Sequence, residues 1–311
     1  MGILKVFGVN MYFRFIVIGF AIIKTVKNRK IITIFAFLFL FCITVWSQSQ
    51  VIEVPKDGDL LKVSFLDVGQ GDAIYIEAPN GRQMIIDGGP SQSILRSLPE
   101  VMSFGDKTID VIVITNPDLD HYSGFIPVLD NYSIGAVLEA GTSSDTSMYK
   151  VLQNKIKAED VPHIVAFKGQ RIVLDESKNI YFEILFPDRD VSGWSSNDGS
   201  LIGRLVYEDT TILFMGDSTK LAEGIVVSGS DISGTDILKV GHHGSSTSTG
   251  TALLEEARPK LAIISSGLNN RYGHPKKDVT DRLSNFGIPY LVTMYEGTIN
   301  CESDGVEFVC E

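Results

Sequence analysis

The chain has 311 residues, 44% of them hydrophobic, and a formal net charge of −11 at pH 7, enough for one large packed domain or two small ones. Its first 50 residues hold six Lys/Arg and no acid, so removing that +6 from −11 leaves −17 for residues 51–311. Such an acidic body repels polyanions at long range, which argues against broad nucleic-acid binding and leaves any phosphate substrate dependent on local help from metal ions.

Residues 31–46 (IITIFAFLFLFCITVW) carry no charge, follow the basic KTVKNRK and precede SQSQ. That length falls between a signal-peptide core and the ~20 residues of a full span. Ser47-Gln48-Ser49 is a passable small-x-small cleavage site, so a cleaved signal peptide and an uncleaved membrane anchor both stand. A second short apolar piece covers residues 15–23, and Met11 is an alternative start. Either way the basic residues 24–30 stay cytoplasmic, which predicts a body outside the cytoplasm, membrane-anchored or secreted. The expected organisation is a basic N-terminus over residues 1–50 and one domain over residues 51–311.

After a short linker the pattern becomes β: LKVSFLDV, AIYIEAP, an Asn80-Gly81 turn and RQMIIDGG read as an antiparallel meander. SILRSLPEVMSFG has helical spacing, IDVIVIT is a buried strand and SGFIPVLDNY a helix. Strands follow at IGAVLEA, HIVAF, RIVL, YFEILFP, LIGRLVYE and TTILFMGD, then a helix near residues 219–227. TDILKVGHHGS is strand then loop, TGTALLEEARP a helix, LAIISSG a strand and KKDVTDRLSNFG a helix; PYLVTMYEGTIN and GVEFVC close the chain as strands. Two sheets packed together with helices outside, an α/β/β/α sandwich, is the expected fold. Cys301 and Cys310 flank an Asp304-Gly305 turn, and a cross-strand disulfide and two free thiols are both compatible with that spacing.

Loops rich in Asp, His, Asn and Gly recur at strand exits: DVGQGD (67–72), IDGG (86–89), TNPDLDH (115–121), MGDS (215–218), VGHHGS (240–245) and NNRYGHP (269–275). Each alone is ordinary turn chemistry. Their clustering weighs more, because four of the five histidines (His121, His242, His243 and His274) fall inside them and only His163 does not.

FLDVGQGDAIYIEAPNGRQMIIDGG, TNPDLDHYSGF, FMGDS, LKVGHHGSSTS and NNRYGHP, in this order and spacing, resemble the metallo-β-lactamase-fold domain of ComEC-type competence (DNA-uptake) proteins. The resemblance covers residues 60–300 and implies a four-layer αβ/βα sandwich, in a stand-alone form without the membrane channel. It also implies one ion held by Asp120, His121, Asp217 and a histidine of the GHHGS loop, for which His243 is chosen. Asp217 would bridge toward a second ion at Asn116 and Asp118, with Asn197 as a further ligand. The family pattern H-P-D-A-D-H places a histidine where this chain has Asn116, leaving an all-oxygen set that suits Mn²⁺, Mg²⁺ or Ca²⁺ better than Zn²⁺. The histidine-bearing site favours Zn²⁺ or Mn²⁺, so one strong and one weak or empty site is expected. His242, His274 and Asp120 are the expected catalytic side chains, with His242 and His274 contacting phosphate or protonating the leaving group. Asp67, Asp72 and Asp87 are read as carboxylates that orient ligands or pack under the site.

The resulting expectation is an exported, metal-dependent phosphodiesterase acting on single-stranded DNA, nucleotides or other phosphodiesters. A lactone or ester hydrolase of the same fold and a non-catalytic envelope binding module are the alternatives.

Overall fold

A computed structural model describes residues 60–311. The predicted membrane or signal segment and most of the linker lie outside the described residues. Among those described, no helix is long and apolar enough to cross a membrane.

The first sheet is built from β1 (Leu61–Phe65), β2 (Ala73–Glu77), β3 (Gln83–Gly88), β4 (Thr108–Ile114), β5 (Ser133–Glu139) and β6 (His163–Val165). It is completed by the last two strands, β14 (Ile299–Ser303) and β15 (Phe308–Cys310), in the order β15-β14-β1-β2-β3-β4-β5-β6. The second sheet has the order β13-β12-β11-β10-β9-β8-β7, from β7 (Arg171–Asp175), β8 (Ile180–Phe186), β9 (Ile202–Tyr207), β10 (Thr210–Phe214), β11 (Ile237–Lys239), β12 (Leu261–Ile264) and β13 (Tyr290–Val292). Each sheet is antiparallel at its beginning and parallel afterwards: β1–β3 form the predicted meander, whereas β3–β6 and β10–β13 run parallel.

Strand alternation separates the layers. In β3, Met84 and Ile86 enter the core shared by both sheets, while Ile85 turns outward. It meets α1 (Ile94–Val101), α2 (Leu119–Tyr122), α3 (Phe125–Asn131) and α4 (Ser147–Ala158). In β10, Ile212 and Phe214 face inward, and Leu213 packs outward toward α5 (Lys220–Gly229), α6 (Thr251–Ala257) and α7 (Lys277–Asn285). The layers are therefore helices, sheet, sheet, helices, as the sequence pattern predicts.

One predicted strand divides. PYLVTMYEGTIN supplies β13 to the second sheet, one helical turn α8 (Thr293–Glu296), and β14 to the first. The break is fixed where the Thr293 hydroxyl accepts from the Ser266 amide (3.1 Å) and donates to the Ser266 carbonyl (3.3 Å). Gly297, at φ +78°, then reverses the chain without a Cβ penalty. Cys301 and Cys310 face each other across β14 and β15 and are joined as a disulfide.

Candidate metal centre

The Asp/His/Gly loops leave the C-terminal ends of β3, β4, β10, β11 and β12, with the β1–β2 loop beside them, so the fold gathers them at one sheet edge. The first ligand arm is the 115–121 loop. His121 is fully buried, and its Nδ1 lies 2.8 Å from Asp87 Oδ2. Asp87 sits at φ +57° and also accepts from the Thr115 amide (2.8 Å) and hydroxyl (2.5 Å). A left-handed aspartate on a strand is a strained choice. Here it aims a carboxylate at the back of an imidazole and leaves Nε2 facing the centre.

The second arm is the VGHHGS loop. His242 and His243 are both left-handed (φ +49° and +55°), and backbone bonds from the His242 amide to Gly216 O (2.9 Å) and from the Ser245 amide to His242 O (2.8 Å) hold them so. The two imidazoles consequently part at 71°. His243 points inward, its Nε2 3.4 Å from Asp120 Oδ2 and 3.5 Å from Asp217 Oδ1. His242 stays at the mouth, its side chain 23% exposed, with Nδ1 3.0 Å from the Thr247 hydroxyl and Nε2 3.6 Å from Asp217 Oδ2.

Asp217 closes the cluster. Its Oδ1 is 3.1 Å from His121 Nε2, an ion-pair distance without hydrogen-bond geometry, and among the described residues neither buried atom has a hydrogen-bond partner. His243 Nε2 is buried and unpartnered too. Three polar atoms that converge without bonding one another suit a cation, since buried polar atoms are otherwise satisfied. Donor atoms of Asp120, His121 and His243 lie within 4.8 Å of one another, as do those of Asp72, His121 and Asp217. In the second set Asp72 is better described as an orienting carboxylate, because Lys239 Nζ sits 2.8 Å from its Oδ2 while Oδ1 is 3.2 Å from the back nitrogen of His243.

Charge within the cluster is strongly coupled. Burial alone would lower both histidines, but Asp217 and Asp87 carry His121 well above its ordinary value, and Asp217 and Asp72 push His243 up to about 10. Burial likewise opposes ionisation of Asp217, yet the charges of His121 and His243 hold it far below the usual carboxylate range. His274 is the exception: burial, then the charges of His243 and His242, bring it down to about 4, so it is neutral at pH 7. Asn270 clamps its backbone from both sides (2.7 and 2.9 Å), and Tyr272 stacks on the ring.

The residues expected at the second ion are engaged elsewhere. Asn116 Oδ1 accepts from the Asp118 amide (2.9 Å), and its Nδ2 donates to Asn197 Oδ1 (2.8 Å). Asp118 accepts from the Ser196 hydroxyl (3.0 Å) and is kept above its ordinary pKa chiefly by burial. The geometry thus brings Asp120, His121, Asp217 and His243 together, places His242 and His274 around them, and ties Asn116 and Asp118 to Asn197 and Ser196 of the β8–β9 loop. Lys239 was not foreseen. A single lysine in the apolar run ILKV, directly before the histidines, is the signal that marks it.

Residues 66–267 match the family model described as the metallo-beta-lactamase superfamily. The chain is 30% identical over 256 residues to "ComE operon protein 3" of Bacillus subtilis (strain 168), a match covering 76% of this chain and 32% of that protein. It is 27% identical over 239 residues to "Competence protein ComA" of Neisseria gonorrhoeae, covering 76% and 31%. It therefore spans about a third of the length of these curated relatives. The metallo-beta-lactamase fold protein YhfI from Bacillus subtilis superposes with a TM-score of 0.51 at 10% identity, over 75% of this chain and 96% of that one, which shows the shared fold. With a match over most of its folded body and the ligand-bearing loops at one sheet edge, the chain belongs to the metallo-beta-lactamase superfamily, in the company of competence proteins.

Proposed function

We propose that the chain is an extracytoplasmic hydrolase that cleaves phosphodiesters with a divalent ion, Zn²⁺ or Mn²⁺, held by Asp120, His121, Asp217 and His243. The observation that carries this reading is the convergence of buried, unpartnered donor atoms of His121, His243 and Asp217. An ion bound there supplies positive charge that acidifies water and offsets the charge developing on a phosphoryl oxygen. With Asn116 engaged by the Asp118 amide and Asn197, and Asp118 by Ser196, a second ion is held weakly or not at all.

The protein's own groups divide the remaining work. Asp87 keeps a proton on His121 Nδ1, and Ser265 O (3.1 Å) with Asp72 does the same for His243, so the proton each ring gives up to bind metal is the one on Nε2. His242, anchored through Nδ1 by Thr247, turns Nε2 toward Asp217 at the mouth, where it would protonate a leaving oxygen. Neutral His274 offers one N–H to a phosphoryl oxygen without adding a cation that competes with metal.

Similarity to proteins named for competence supports a nucleic-acid phosphodiester, and the charge of −17 on residues 51–311 favours single-stranded or small substrates over long duplex. The disulfide supports an oxidising compartment. The test is hydrolysis of an aryl phosphodiester and of a lactone by the metal-loaded chain, with Asp217→Asn alongside. Phosphodiester cleavage lost in Asp217→Asn is expected. Lactone cleavage alone would transfer the protein to ester hydrolysis, and metal binding with neither activity would make it a binding module.

A further inference from the structure

The two histidines of the centre are backed by carboxylates in unlike surroundings. Asp87, behind His121, meets, among the described residues, only neutral donors besides the imidazole: the Thr115 amide and hydroxyl. Asp72, behind His243, meets an ammonium ion. In β11, Ile237 faces the core between the sheets and Leu238 the outer core, so alternation returns Lys239 to the inter-sheet side. There its fully buried side chain reaches Asp72, which immediately precedes β2 of the opposite sheet, at 2.8 Å and donates to Val240 O at 3.1 Å. Both side chains are at most 2% exposed.

Stability gives no reason for charges at this place. A buried ion pair is commonly no more stabilising than apolar side chains of the same volume, because desolvation cancels the attraction. Contact with the metal histidine does give a reason. The ammonium draws charge from Asp72, whose free Oδ1 lies 3.2 Å from His243 Nδ1, and that N–H is also given to Ser265 O at 3.1 Å. His121 Nδ1, by contrast, is 2.8 Å from an Asp87 carboxylate that no cation drains.

We infer that Lys239 and Asp72 form a positioning pair that fixes the His243 ring between the sheets while keeping it the weaker, more readily released of the two histidine ligands. The inference rests on the reading that this centre binds a divalent ion.

The experiment uses the full chain and the double variant Asp72→Asn/Lys239→Met, which removes both charges together. Zn²⁺ affinity is read by competition with a chromophoric chelator, and ligand geometry by the visible absorption of Co²⁺. The expected result is a folded variant, by circular dichroism and melting, with Zn²⁺ affinity reduced about ten- to a hundredfold and an altered Co²⁺ band. A folded variant with unchanged affinity and spectrum overturns the inference and leaves the pair a packing feature. Failure of the unmutated chain to take up Co²⁺ overturns the metal reading itself, a distinguishable result. Should the double variant not fold, ¹⁵N-histidine NMR of the unmutated Zn²⁺-loaded chain decides. A proton on Nδ1 of His243, exchanging faster than that of His121, supports the pair's role, and a proton on Nε2 overturns it.

Discussion

Metal uptake by this centre must displace protons. Before an ion arrives, Asp217 and Asp72 outweigh burial and hold His243 at a pKa of about 10, while Asp217 and Asp87 hold His121 well above its ordinary value. A metal takes only the neutral imidazole. At pH 7, about three units below the His243 value, deprotonation costs about 4 kcal/mol of binding free energy at 1.36 kcal/mol per unit. The sign follows from the raised values: affinity is lowest in acid and increases as pH rises toward them. With two imidazoles titrating together, the apparent Kd should fall about a hundredfold per pH unit near neutrality. Calorimetric titration of Zn²⁺ at pH 7 in two buffers of different ionisation enthalpy counts the protons. About two per ion are expected from the unmutated chain and about one from His243→Gln. Binding that releases no proton would refute the coupling between these carboxylates and histidines.

Gly71→Ala places a Cβ 2.3 Å from Asp120 O and 2.9 Å from Pro90 Cδ at φ +142°, so it should cost about 2–4 kcal/mol in melting experiments and weaken Zn²⁺ binding by shifting Asp120. Asn116→His should tighten a second ion while lowering the melting temperature, because it removes the bonds to the Asp118 amide and Asn197; metal content by elemental mass spectrometry checks the first and a melting curve the second. Hydrogen bonding to Glu139 raises His163, so its stabilisation is full below the ordinary pKa of about 6.5 and disappears as pH rises through the folded value. His163→Gln should therefore melt earlier at pH 5.5 and little differently at pH 9, and an equal loss at both would refute the pairing. Cys301→Ser, across a sequence separation of 9, should cost about 2–3 kcal/mol by chain entropy, read as a lower midpoint in denaturant titrations.

The strands were legible because alternation of Val, Ile and Leu with smaller or polar residues reports which face is buried, and the loops because Asp, Gly and His are costly inside regular strands. What could not be read was the sign of φ. His242 and His243 are adjacent and chemically identical, so spacing gives no reason to prefer one. Two successive left-handed residues decide it, turning His243 in and leaving His242 out. The division of PYLVTMYEGTIN was hidden for a related reason: Thr293 and Gly297 are unremarkable in composition, and the bonds of Thr293 to the distant Ser266 and the positive φ of Gly297 break the strand.

Asn116 shows how far residue type alone can carry the argument. Its chemistry marks it as a poor transition-metal ligand, which is sound. The same chemistry makes asparagine good at accepting a hydrogen bond from the backbone two residues on, as it does from Asp118. Once that oxygen and Asn197 are committed within the protein, the loop gains its shape from the side chain that in the family pattern would give it a metal. On the proposed reading the substitution weakens one ion site while keeping the strand-to-helix turn that presents Asp120 and His121 to the other.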